Sequence, residues 1–99
     1  MRRGTTPTFT ISTSIDLTDA EVIYLTFSQG RNGIFTLEKD RMEITSEAIV
    51  VKLTQEETLS FDDRKSVRFQ IRGRKPGNVA VASNIMTTSV SEILKDGVI

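Results

Sequence analysis

The chain has 99 residues, with thirteen basic side chains against thirteen acidic ones and a formal net charge of zero, so bulk charge favours no class of partner. It contains neither cysteine nor histidine. That excludes disulfides and thiolate metal sites and removes the commonest general base, metal ligand and pH switch. The length suits one domain with one buried core, and no apolar run approaches the ~20 residues of a membrane-crossing helix.

The opening Met1-Arg2-Arg3 is basic, but no apolar segment of a signal peptide follows, so synthesis in the cytoplasm is the expectation. Residues 1–7 read as a polar arm, and Pro7 biases Thr6 to an extended backbone. Residues 8–99 read as a single domain. Thr8–Ser12 alternates cleanly, with Phe9 and Ile11 inward. Ser14–Asp19 continues irregularly, after a kink or a change of sheet.

Glu21–Gln29 is the next strand, with Ile23, Leu25 and Phe27 on one face and Val22, Tyr24 and Thr26 on the other. Gly30-Arg31-Asn32-Gly33 predicts a hairpin turned at Asn-Gly, a pair that tolerates the positive φ both turn positions need. Ile34–Glu38 is its mate, carrying Phe35 and Leu37. Asp40 marks a bend before a short strand, Met42–Thr45.

Ile49, Val51 and Leu53 share one face at period two, with Lys52 and Thr54 opposite. Thr54 stands three residues before Glu57, the spacing of a capping box, in which each side chain satisfies the other's orphan backbone N–H. Leu59 and Phe61 are placed to drop back onto the apolar face. Thirteen residues thus encode a strand, a capped corner and two apolar plugs.

Asp62–Ser66 is a charged turn. Val67–Arg72 gives the cleanest alternation in the chain, with Val67, Phe69 and Ile71 in and Arg68, Gln70 and Arg72 out. Pro76-Gly77 suits the centre of a type II turn. Asn78–Val90 is β-rich, with Val79, Val81 and Ile85 on one face and Met86 and Val90 on the other. A bulge near Ser83-Asn84 reconciles the two. Ser91–Ile99 predicts a short Ser-capped turn ending at Gly97.

Short strands, regular turn signals and the lack of a long helix predict an all-β fold. It is an antiparallel β-sandwich of about seven to eight strands with one short helical turn near residues 55–60. A small open barrel is the alternative. Parallel α/β is excluded for want of helical crossovers.

Arg68, Arg72 and Arg74 share the outward face of one strand and are the candidate partner-binding face, suited to phosphate, nucleic acid or an acidic partner. Set against this is a solvated face paired with glutamates on neighbouring strands. Nucleic acid is disfavoured, since no stacking aromatics lie on that strand face. Asp40, Glu43, Glu47, Glu56, Asp62 and Asp63 have no calcium-loop spacing, and no serine lies in a nucleophile elbow. No catalytic, cofactor or metal-binding residue is assigned, and Thr54 and Glu57 are given the structural cap. The segment before Pro7 and the apolar Val98-Ile99 are placed to reach a neighbouring subunit, with disordered ends as the alternative.

Asp16-Leu17-Thr18-Asp19-Ala20-Glu21-Val22-Ile23-Tyr24-Leu25-Thr26-Phe27 is similar to the DLTGA-x-V-x-F-T motif of the amino-terminal domain of phage baseplate upper proteins. Leu53-Thr54-Gln55-Glu56-Glu57-Thr58 resembles the LT-x-E-D/E-T corner of the same domains. The Val67–Ile71 strand, Pro-Gly turn and long last strand match their closing hairpin in order. The chain also resembles small prophage proteins of Firmicutes. The resemblance implies an immunoglobulin-like β-sandwich serving as a non-enzymatic structural module of a phage tail or baseplate. Its partners would be other tail proteins or copies of itself, in a homo-oligomer, with no cofactor and no membrane. A carbohydrate- or anion-binding module and a nucleic-acid-binding protein are the rival expectations.

Overall fold

Period-two segments need a partner on each side for their backbone groups and a second apolar layer for their inward side chains. The computed structural model, which describes residues 1–30 and 32–99, meets both needs with two packed antiparallel sheets. The strands are β1 (Thr8–Ser12), β2 (Val22–Gln29), β3 (Asn32–Glu38), β4 (Met42–Ile44), β5 (Ala48–Lys52), β6 (Val67–Lys75), β7 (Val79–Ala82) and β8 (Met86–Thr88). A 3-10 turn spans Lys39–Arg41, and one helix, α1, spans Gln55–Leu59. No helix among the described residues is long and apolar enough to cross a membrane.

One sheet runs β1-β5-β4 and the other β3-β2-β6-β7, with β8 also paired to β6. β7 and β8 follow each other along the edge of β6 that β2 leaves free. In immunoglobulin lettering this is B-E-D packed on C′-C-F-G, so the chain is an immunoglobulin-like sandwich. In place of a full first strand, Arg2 makes a parallel bridge to Ser91 just beyond β8.

The core fills from the alternating faces. Ile23, Leu25 and Phe27 of β2 meet Ile49, Val51 and Leu53 from the other sheet, all essentially inaccessible to water. All five phenylalanines gather there, and Phe27 lies 5.0 Å from Phe35, 5.6 Å from Phe69, 5.9 Å from Phe61 and 6.2 Å from Phe9 between ring centroids. Such pairs add about 0.5–1.5 kcal/mol each beyond area burial.

Four local expectations are corrected. The first is the Asn32-Gly33 turn, part of whose Gly30–Gly33 stretch, Arg31, lies outside the described residues. Gln29 pairs with Asn32 and Ser28 with Gly33, so both belong to β3, and Gly30 carries the positive φ of 64°. A turn centred on Asn32-Gly33 would set Phe27 opposite Glu38 and throw Phe35 and Leu37 onto the solvent face. The observed register pairs Phe27 with Phe35 and Leu25 with Leu37, and the step between Phe27 and Ser28 absorbs Ile34 as a bulge. Core burial outweighs the turn signal.

The second is Leu59, which is only half-buried, while the fully buried side chain of the corner is Thr58. Its hydroxyl donates to Thr5 O at 2.9 Å and so needs no water. Third, Ile85 and Val79 are half exposed, and Val81 packs on the core together with Met86. The pairing shifts by one residue between Ala82 and Met86, at the expected Ser83-Asn84 irregularity, and brings Val81 and Met86 to one face. Fourth, Ser91–Ile99 forms no helical turn.

Candidate functional site

The outer face of the larger sheet follows from parity. With Val67, Phe69 and Ile71 buried, Arg68, Gln70, Arg72 and Arg74 must point away from the core. β2 contributes Val22, Tyr24, Thr26 and Ser28 to the same face. The register pairs Ser28 with Arg68, Tyr24 with Arg72 and Val22 with Arg74. On the far side, Thr87 stands opposite Arg68, Ala82 opposite Arg72 and Ala80 opposite Arg74. On the β7 and β8 side the arginines therefore stand beside small residues.

The stripe is electrostatically uneven. Arg74 lies 3.6 Å from Glu21, with both side chains about half exposed, and Lys75 lies 3.5 Å from Asp19. Exposed pairs of this kind contribute little. Arg68 and Arg72 make no ion pair with any described residue, so a glutamate-paired face does not describe them. Gln70 is anchored by donating to Ser83 O at 2.9 Å, and Thr26 and Thr36 share a hydroxyl hydrogen bond of 2.9 Å.

Tyr24, 41% exposed, divides the face. On one side is a cleft of about 240 Å³ that Tyr24 lines with Val22, Arg72, Gly73, Arg74 and Ala80. On the other, a shallow depression is lined by Tyr24, Thr36, Glu38, Asp40 and Arg41. One flank is basic and the other carries two carboxylates. The sequence placed Tyr24 outward but did not place it beside Arg72, because alternation fixes the face of a residue and not the neighbouring strand. The expectation of an arginine face without an aromatic is thereby corrected.

The corner holds the other named residues. Glu57 N–H donates to Thr54 Oγ1 at 3.1 Å and Thr54 N–H donates to Glu57 Oε1 at 2.8 Å, so both halves of the capping box form. The sequence did not show that Arg41 grips the same carboxylate, donating to Oε1 at 2.8 Å and to Oε2 at 3.1 Å. Burial works to raise the Glu57 carboxyl, but the Arg41 guanidinium and the Thr54 N–H outweigh it and hold it below the usual range. At the other end of α1, Arg3 Nε donates to Phe61 O at 2.8 Å and Nη2 to Leu59 O at 2.9 Å. A cation there satisfies terminal carbonyls and complements the helix end. Residues 1–7 thus lie along the body, and Gln55 closes the same region through two hydrogen bonds to the backbone of Ile99. These contacts are structural, and they leave Leu94, Val98 and Ile99 exposed.

Fold and surface together define an immunoglobulin-like sandwich with an open Arg-Tyr sheet face. No family model matches the chain, and neither does any curated protein or solved structure.

Proposed function

We propose that the protein is a non-enzymatic structural module of a phage tail or baseplate, made in the bacterial cytoplasm and carried in the virion. It works by protein–protein contact in a symmetric assembly. The baseplate-domain resemblance of the Asp16–Phe27 and Leu53–Thr58 motifs supplies the phage setting. The observation that carries the contact role is Arg72 beside Tyr24, with Arg68 farther along the same face, neither paired with a carboxylate among the described residues and both flanked by alanine, serine or threonine. Arginine and tyrosine are the residues that dominate binding energy at interfaces, and small neighbours let a partner approach them closely. Symmetry supplies avidity, so each contact can be weak.

Gene neighbourhood and co-purification with the adjacent gene products test this reading. Tail genes next to this one, with capture lost in Tyr24→Ala/Arg72→Glu, are the expected result. A gene far from tail genes whose product binds no tail protein sinks it. The cleft between Tyr24 and Arg72/Arg74 also favours a second reading, a small anion- or carbohydrate-binding module. Glycan-array or sulfate binding that disappears in Tyr24→Ala would replace the first reading with this one.

A further inference from the structure

The edge strand β7 is built unlike the rest of the surface. From Pro76 to Ser91 the chain carries no Asp, Glu, Lys or Arg, although 26% of all its residues are charged. Natural sheets guard free edges with charges, prolines, bulges or a covering segment, because unpaired backbone groups there recruit other strands. The bulge at Ser83-Asn84 lies beyond β7, and the strand itself, Val79-Ala80-Val81-Ala82, has none of these guards. Val79 is 51% exposed, and Ala80 and Ala82 are exposed as well.

Its free backbone groups can be assigned. Ser83 N–H donates to Ile71 O at 2.9 Å, and Arg74 O accepts from Glu21 N–H at 2.8 Å on the opposite side of β6. Odd-numbered residues of β6 therefore bond towards β7 and even-numbered ones towards β2. By antiparallel alternation, Val79 and Val81 spend their backbone groups on β6. The N–H and C=O of Ala80 and Ala82 point out of the sheet and meet no described residue.

We infer that β7 pairs with β7 of a second copy of this chain, antiparallel about a twofold axis through Val81. Same-face packing allows only registers that keep parity. Of these, Val81 opposite Val81 sets Ala80 opposite Ala82 twice, which uses all four outward groups of each strand. Val81 then adjoins its symmetry mate on the core face, and Val79 gains apolar cover from the same pair. The edge is electrostatically compatible with itself. Three strand steps, roughly 14 Å, separate the arginine-bearing β6 strands of the two copies, beyond the ~8–10 Å screening length at physiological salt. The two sheets join into one continuous surface that presents two Tyr24-Arg72 faces on the same side. The pairing stands on the edge alone and does not depend on the phage reading.

Sedimentation from about 1 µM to about 1 mM, the span of small-interface affinities, tests the pairing. The expected mass rises towards twice that of the monomer. Ala80→Pro and Ala82→Pro remove only outward-facing N–H groups, which an edge strand tolerates. Each should keep the circular dichroism of the fold and remain monomeric, whereas Arg68→Glu/Arg72→Glu should still dimerise. Amide exchange on the unmodified chain gives a second readout. Ala80 and Ala82 become protected as concentration rises, while Val81 is protected throughout. Constant monomer mass with freely exchanging Ala80 and Ala82 at the highest concentration overturns the inference. So does an oligomer that both folded proline variants leave intact.

Discussion

Phe27 touches four other phenylalanine rings and is wholly buried, so little around it can collapse into the space its ring would leave. Phe27→Ala is expected to cost about 3–5 kcal/mol in denaturant unfolding. On the outer face, Tyr24→Ala/Arg72→Ala is expected to shift stability by no more than about 1 kcal/mol, two surface changes of about 0.5 each, while weakening partner capture. Glu57 acts differently, through its charge. Its folded-state carboxyl sits below its ordinary value of 4.5, so the stability it contributes is complete above that value. That stability disappears as pH falls through the depressed folded value. Asp62, held at about 2 by hydrogen bonds from the Arg64 side chain and backbone N–H and by the charges of Arg64 and Lys65, acts in the same direction further into acid. Thermal midpoints should therefore drop as pH is lowered below about 4.5. Glu57→Gln keeps an acceptor for the Thr54 N–H but removes the charge facing Arg41, so it should lose up to about 1 kcal/mol at neutral pH and flatten the upper part of that drop.

Among the elements, the β2–β3 turn gives a sharp comparison. Gly30 has φ of 64° and Gly33 does not lie in the left-handed region, so Gly30→Ala should cost about 1 kcal/mol while Gly33→Ala leaves the unfolding midpoint in place. Equal costs would return the turn to Asn32-Gly33. Arg3 is the second case. It bonds Leu59 O, Phe61 O and the Asp96 carboxylate at once, and Arg3→Ala should cost roughly 1.5–3 kcal/mol. Lysine at that position should recover only part, since it lacks the planar fork. The strands and their faces were legible because period two is a local signal: Ile23-Leu25-Phe27 and Val67-Phe69-Ile71 display it without help. The capping box was legible for the same reason, since Thr54 and Glu57 are three residues apart. Arg41 on Glu57, Arg3 on the helix end and Tyr24 beside Arg72 were not. Each joins residues far apart in sequence, and nothing local ties either partner to the other.

At the scale of the molecule, the body extends 48 × 27 × 17 Å, and its segments from both ends meet around the corner that follows β5. The Met1 nitrogen bonds Ser89 O, Arg2 bonds Glu92 O and Arg3 bonds Asp96, across separations of 88, 90 and 93 positions. Met1–Arg3 is therefore made well before the residues it bonds, and is among the last segments to find its place. Until Ser89–Asp96 emerges, Met1–Arg3 lacks those partners. Contacts of such long range are slow to close. In refolding with pulsed amide labelling, protection at Arg3 and Ser91 should lag behind that of the β2–β6 ladder, and Met1–Arg3 acts as a latch that shuts only once Ser89–Asp96 is in place.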